Sequence, residues 1–243
     1  MREREDAFGR IVLDYFEGRR AHEIIERSDG FIDVSLGPKP YFDPFRRWLP
    51  VERKAMRHVR GRVLDVGLGA GRVALYLQER GHEVIGIDNS PLAVEVARRR
   101  GVEDARLLAF KDISAKLGVF DTVVMMCSNF GLFGSAIGAR RMLRRLARIT
   151  SPDARIVAGS RDPYATDNPD HLVYQESNRR QGRMSGQLRL RLRHGHYIGR
   201  WFDYLIVSPD EMDSLAKSGG WQVERLIEHE SGDGYYVGVL GKT

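Results

Sequence analysis

A chain of 243 residues has room for one large α/β domain, or for one domain carrying a modest insertion. Its 42% hydrophobic and 30% charged residues suit a packed core beneath a solvated surface, and no apolar run approaches the ~20 residues that span a bilayer. The net charge of +6 comes from arginines spread through helices and one strand, a pattern of solvated faces that tilts expectation toward an anionic substrate and leaves nucleic acid open as a partner.

The first residues, Met1-Arg2-Glu3-Arg4-Glu5-Asp6, mix both charge signs and lack the apolar segment of a secretory signal, so a cytoplasmic protein without membrane attachment is expected. Asp6 to Arg27 reads as one or two helices, with Phe8, Ile11, Val12, Tyr15 and Phe16 at helical spacing. Gly37-Pro38-Lys39-Pro40 breaks that pattern. An aromatic connector, Tyr41-Phe42-Asp43-Pro44-Phe45 with Trp48, leads to a short helix from Val51 to Val59.

A regular alternation follows. Arg62 to Val66 is a strand, Arg72 to Arg80 a helix stopped by Gly81, and Glu83 to Asp88 the next strand. Ser90-Pro91 opens a helix that runs to Arg100, with Gly101 as its stop. Strands are predicted over Ala105–Phe110 and Thr122–Met126, then a helix over Ala139–Ile149, a turn at Ser151-Pro152-Asp153 and a strand over Arg155–Ala158. Such repeats imply a parallel sheet covered by helices on both faces. After Ser160 the rhythm changes. Asp162 to Arg183 reads as polar and irregular, Gln187 to Arg193 alternates leucine with arginine, and Ile198 to Val207 is its expected antiparallel partner. A helix from Pro209 to Lys217 and a hairpin of Trp221–Glu228 with Tyr235–Leu240 complete the chain. The expected organisation is a single domain over 1–243, with an N-terminal helical cap over 1–60 and an inserted lid or hairpin region over 161–207.

The one cysteine, Cys127, leaves no internal disulfide and no thiol-rich metal site. Among seven histidines none forms an HExxH pair, and His194-Gly195-His196 would only point two rings to one side of a strand, so no metal is expected. The glycines Gly67, Gly69 and Gly71 fall where a strand turns into a helix, letting backbone approach a ligand beside helix amides that favour negative groups. Their spacing is G-x-G-x-G. The third glycine of a dinucleotide fingerprint would fall on Arg72, which disfavours a nicotinamide enzyme.

Val63-Leu64-Asp65-Val66-Gly67-Leu68-Gly69-Ala70-Gly71-Arg72, followed in order by Val84–Pro91, Lys111-Asp112-Ile113 and Phe120–Val124, resembles class I S-adenosylmethionine-dependent methyltransferases. The resemblance covers Gly61 to Ser160, and more loosely the terminal helix and hairpin. It implies a Rossmann-like seven-stranded methyltransferase sheet, mostly parallel with the last strand antiparallel, and S-adenosyl-L-methionine as cofactor. Matched positions imply that Asp65 faces the methionine ammonium and that Gly67, Leu68, Gly69 and Gly71 bring backbone to the cofactor. Asp88 and Asn89 take the ribose hydroxyls, Asp112 and the Ile113 amide the adenine. Cys127, with Ser128 and Asn129, ends the strand where the methyl group meets its acceptor. Leu68 departs from a frequent family cysteine.

Other roles stay open beside these. Asp65 also suits a helix cap, Asp88 a dinucleotide ribose, and Cys127 a buried small residue. Methyl transfer from a sulfonium is an in-line displacement helped chiefly by proximity, so no catalytic residue is legible. Ser128-Asn129-Phe130-Gly131 lacks the Asx-Pro-Pro-aromatic segment of adenine methylases, Met126 precedes Cys127 where cytosine-C5 enzymes have proline, and the aspartate of metal-dependent catechol-type enzymes is missing. The expected activity is therefore methylation of a small-molecule O, N or C acceptor. An RNA or protein methyltransferase and a non-catalytic cofactor-binding protein are the alternatives. Tyr41, Asn129, Arg161 and His196 are the substrate-side candidates, while the Leu188–Arg193 alternation is either a solvated face or a lid meeting an anion.

Overall fold

The computed structural model describes residues 5–35 and 37–243; Met1 to Arg4, part of the mixed-charge start and of the expected cap, and Leu36 lie outside the described residues. In chain order the elements are α1 (Ala7–Phe16), β1 (Ile24–Arg27), β2 (Ile32–Val34), α2 (Pro50–Ala55), β3 (Val63–Val66), α3 (Arg72–Gln78), β4 (Val84–Asp88), α4 (Pro91–Arg99), β5 (Ala105–Leu107) and β6 (Phe120–Met125). There follow α5 (Ala136–Arg148), β7 (Thr150–Arg161), α6 (Pro169–Arg180), β8 (Gln187–His194), β9 (Tyr197–Ile198), β10 (Phe202–Leu205), α7 (Pro209–Ser218), β11 (Trp221–Glu228) and β12 (Tyr235–Lys242).

A seven-stranded sheet has the order β11-β12-β7-β6-β3-β4-β5. Every residue of β3 and β4 is buried, as expected of largely apolar parallel strands covered on both faces. The pairs β3–β4, β4–β5 and β6–β7 are parallel, whereas the last strand, β12, is antiparallel to both β7 and β11. This is the mostly parallel methyltransferase sheet that the sequence resemblance implies. A smaller sheet has the order β10-β8-β1-β2, with β9 also paired to β8. No helix among the described residues is long and apolar enough to cross a membrane.

Contacts gather the chain into two units of three segments each. The first holds residues through Trp48, Val63–Ile113 and Arg189–Phe202; the second holds Leu49–Arg62, Ser114–Leu188 and Asp203–Thr243. In the first, α1 buries Ile11, Val12 and Leu13, and Val12 and Leu13 pack with Ala70 of the glycine turn and Val96 of α4. Helix starts follow the expected chemistry: Ser90 caps α4 by accepting from the Ala93 amide at 3.0 Å, with Pro91 in the first turn. In the second unit Ser208 and Glu211 form a reciprocal capping box on α7.

Several local expectations need correction. The helical reading through Arg27 ends at Phe16, and Ile24–Arg27 is a strand that pairs with β8, Ile24 opposite Arg193 and Arg27 opposite Leu190. Cross-strand pairing and two β-branched isoleucines override the local pattern there. The span 162–183 contains α6, capped by Asn168, whose side chain accepts from the Asp170 amide at 2.9 Å. It escapes periodicity because it is anchored by polar groups: Gln175 donates to the Pro163 carbonyl at 2.6 Å and Asn178 to the Gln187 carbonyl at 2.8 Å. Ser151-Pro152-Asp153 is no turn but lies within β7, at a shift of register against β6. The strand expected over Ala105–Phe110 stops at Leu107, and Phe110–Asp112 is a 3-10 turn.

Candidate functional site

The first unit places the glycine turn between the ends of β3 and β4. Gly67, Gly69 and Gly71 have φ of 77°, 53° and 82°, a left-handed run that side-chain-bearing residues avoid. At Gly71 a Cβ would also lie 2.6 Å from Val102 Cγ2. Leu68 is buried against Gly86, whose missing side chain makes room for it. The turn is fixed from outside by Arg100, whose guanidinium donates to the Ala70 carbonyl.

Two buried acids flank this turn. Asp65 is 2% exposed, and its Oδ2 has no hydrogen-bond partner. Burial, reinforced by the nearby Asp88 charge, pushes its carboxyl up to about 7, against the pull of the Arg72 guanidinium and the Ala74 amide. Arg72 is itself buried, with its guanidinium 4.5 Å from the Trp48 ring centre and Nη1 donating to the Pro40 carbonyl at 3.2 Å. Asp88 accepts from the Gly69 amide on Oδ2 and the Ser90 amide on Oδ1, both at 2.9 Å. Burial raises its pKa and these amides oppose the rise. Each oxygen keeps a second acceptor position. Asn89 and Asp112 are exposed, while Ile113 is buried and its amide makes a long 3.3 Å bond to the Phe110 carbonyl.

The second unit gathers a different set at the carboxyl ends of β6 and β7. Cys127 and Ser128 both have positive φ, 54° and 64°, a strained turn that pins the chain just beyond β6. The Tyr204 hydroxyl holds it by donating to the Ser128 carbonyl at 2.6 Å. Cys127 is exposed, which corrects the reading of a buried small residue. Its Sγ lies 3.9 Å from Oε1 of Glu52, a 3% exposed carboxylate of α2 that also accepts from the Tyr235 hydroxyl at 3.3 Å. Asn129 opens the 3-10 turn Asn129–Phe133, and Arg161 ends β7 in an ion pair with Asp233 at 3.1 Å.

A family model described as a methyltransferase domain matches residues 63–153. A crystal structure of an S-adenosylmethionine-dependent methyltransferase from Bacteroides fragilis, in complex with S-adenosyl-L-homocysteine, is 27% identical, covers 100% of this chain and 97% of that one, and gives a TM-score of 0.84. Residues 63–153 are thus a methyltransferase domain, and the whole chain is similar to a class I S-adenosylmethionine-dependent methyltransferase. Among curated relatives, a ubiquinone biosynthesis O-methyltransferase of Methylocella silvestris is 38% identical over 84 residues, 32% of this chain and 33% of that one. A tRNA (uracil(54)-C(5))-methyltransferase of Pyrococcus abyssi is 32% identical over 131 residues, 51% of this chain and 30% of that one. This methyltransferase spans half or less of the length of these curated relatives.

Within the methyltransferase the remaining candidates scatter. The Tyr41 hydroxyl is held by the Glu23 carboxylate at 3.0 Å and 3.2 Å, and its ring meets Phe8 edge-on. His196 is exposed beside the Tyr197 ring, whereas His194 is buried with Nε2 2.9 Å from Asp14 Oδ2. No group of three or more His, Cys, Asp or Glu among the described residues is placed to hold a metal ion. The arginines of the Leu/Arg strand are largely committed: Arg191 and Arg193 both pair with Glu26, at 2.7 Å and 3.2 Å. Sequence reasoning missed Glu52 and Tyr235, since nothing local brings positions so far apart in the chain together. It also missed Asp6, whose carboxylate caps α1 and reaches Ser90.

Proposed function

We propose that the protein transfers a methyl group from S-adenosyl-L-methionine to a small-molecule O, N or C acceptor by in-line displacement. The observation that carries this reading is Asp65: a buried carboxyl with one unpaired oxygen, kept near neutrality by burial, beside a left-handed glycine turn. A cationic ammonium satisfies that oxygen and draws the carboxyl into its charged form. The second acceptor positions of Asp88, helped by Asn89, suit the two ribose hydroxyls, and the side-chain-free glycines of the Gly67–Gly71 turn let backbone approach along the path between. Asp112 and the Ile113 backbone take the adenine. The cofactor supplies the methyl group as an activated sulfonium substituent, so orientation of the acceptor is the main task left to the chain.

At the carboxyl end of β6, Cys127 and Asn129 serve the methyl and acceptor side. There Glu52, shielded and held by Tyr235, is placed to take a proton from an acceptor that must lose one. The O-methyltransferase name of the Methylocella relative supports a small acceptor. The name of the Pyrococcus relative supports the second reading, an RNA acceptor, which the arginines of α5 also favour. Calorimetry with S-adenosylmethionine and S-adenosylhomocysteine tests the cofactor assignment: saturable one-site binding that D65A weakens is expected, and absence of binding by both overturns it. Transfer of labelled methyl into a metabolite extract rather than into total RNA separates the two acceptor classes.

A further inference from the structure

We infer that the solvent face of α5 is a docking surface for the phosphate backbone of RNA. The 13-residue helix carries Arg140, Arg141, Arg144, Arg145 and Arg148 and no acid. Together with Ile137 these arginines line one cleft of about 410 Å³ on the helix surface. Ala139, Met142, Leu143 and Leu146 on the opposite face are buried, so the core fixes how the helix presents its charges. With a rise of about 1.5 Å per residue, guanidinium stems recur every turn over about 12 Å.

Several arginines elsewhere in the chain are neutralised locally: Arg19 by Asp14, Arg106 by Asp104, Arg179 and Arg180 by Glu176, Arg191 and Arg193 by Glu26. On α5, Arg140, Arg141 and Arg148 have no acid within ion-pair distance among the described residues. The net charge of +6 is thus concentrated on this strip rather than spread evenly. Asp210 and Glu211 share a second cleft with Arg140 and mark the strip's border on the α7 side.

The chemistry of the strip selects the partner. Planar guanidinium forks match phosphate oxygens, and a linear array of cations matches a linear array of anions. Ile137 is the one large apolar side chain on the face, and no aromatic accompanies it, so the strip offers neither a wedge for a bilayer nor a platform for stacked bases. Backbone recognition without sequence preference follows. This inference stands independently of the methyl-transfer reading.

The test is fluorescence anisotropy of the full chain with a labelled single-stranded RNA of roughly 20 nucleotides, at salt concentrations from about 50 to 200 mM. Binding is expected to weaken steeply with salt. R140Q/R141Q/R148Q should bind at least about tenfold more weakly at low salt and flatten the log–log salt slope by about 2, since each single-strand phosphate contact contributes about 0.7. Unchanged thermal unfolding would show that this exposed triple variant still folds. A control, R20Q/R46Q/R183Q, removes as much charge from other surfaces and should bind as the parent does. The proposal is overturned by no RNA binding at low salt, by an R140Q/R141Q/R148Q variant that binds normally, or by a control that loses as much. Sedimentation with phosphatidylglycerol vesicles in place of RNA binding would assign the face to a bilayer and overturn it too.

Discussion

The Asp6 carboxylate and the Ser90 hydroxyl, 84 residues apart in sequence, meet at 2.9 Å where two helices begin. Asp6 accepts from the Gly9 amide on Oδ1 and from the Leu92 amide on Oδ2, and so caps α1 while touching the start of α4. Ser90 in turn donates its amide to Asp88, which holds Gly69. A continuous line of buried hydrogen bonds therefore runs from the first helix to the glycine turn.

Removing its first member should loosen the rest. D6A is expected to lower stability by about 1–3 kcal/mol, the loss of a cap plus unsatisfied buried partners. D6N, which keeps one acceptor oxygen, should lose less. Urea unfolding followed by circular dichroism measures both, and a D6A midpoint equal to that of the parent would refute the cap assignment.

Asp65 makes cofactor binding dependent on pH. Its carboxyl is pushed up to about 7, above the ordinary carboxylate range, so the ligand-free folded protein holds a proton that the unfolded chain has lost. Stability from this group is present at acid pH and falls as pH rises from about 4 to about 7. An ammonium ligand reverses the balance by demanding the charged form. Binding of S-adenosylhomocysteine should then release close to one proton at about pH 6 and progressively fewer toward pH 8. Calorimetry in two buffers of different ionisation enthalpy reads that number directly. D65N should abolish the release and weaken binding at least about tenfold, as loss of a charge-assisted bond implies. Identical heats in both buffers at pH 6 would sink the assignment.

Much of this is legible in the amino-acid sequence. Strands β3 and β4 are legible because both are short apolar segments that carry an acid at or next to the carboxyl end, and α4 because Ser90-Pro91 and Gly101 punctuate it. The strand β1 was not, since its partner β8 lies more than 160 residues away and Glu26 finds Arg191 only in the folded chain. Helix α6 was hidden by its polar anchoring, for Gln175 and Asn178 are the buried residues of that helix. At the site the same division holds. Asp65, Asp88 and the glycines sit within one βαβ unit and follow a local spacing, whereas Glu52, Cys127 and Tyr235 converge from α2, the end of β6 and the start of β12.

Asp88 tests the geometry of the turn itself. Both of its oxygens already accept backbone amides, so Asn in its place would turn an NH2 group toward either Gly69 or Ser90, donor against donor. D88N should therefore weaken S-adenosylhomocysteine binding by more than about tenfold and speed hydrogen exchange at the Gly69 amide. A variant that binds with parental affinity would remove Asp88 from the cofactor set.

Cys127 provides a reporter because it is the chain's one cysteine and is exposed. The Glu52 carboxylate 3.9 Å from its sulfur disfavours a second negative charge there, which slows reactions that need the thiolate. Two like charges about 4 Å apart repel by about 1 kcal/mol at the dielectric of water and by more beside a buried carboxylate such as Glu52, so the thiolate population falls at least roughly fivefold. E52Q keeps the side-chain shape and an acceptor for Tyr235 but removes the charge, so iodoacetamide should modify Cys127 at least roughly fivefold faster in that variant. Mass spectrometry of the intact chain follows the rate. An equal or slower rate would mean that Glu52 does not act on the sulfur. The same reporter tests the place of Cys127 in the cofactor set: saturating S-adenosylhomocysteine should slow its modification in the parent protein. If the ligand binds by calorimetry yet leaves the rate unchanged, Cys127 drops out of that set, and the assignments of Asp65 and Asp88 stand or fall on their own measurements.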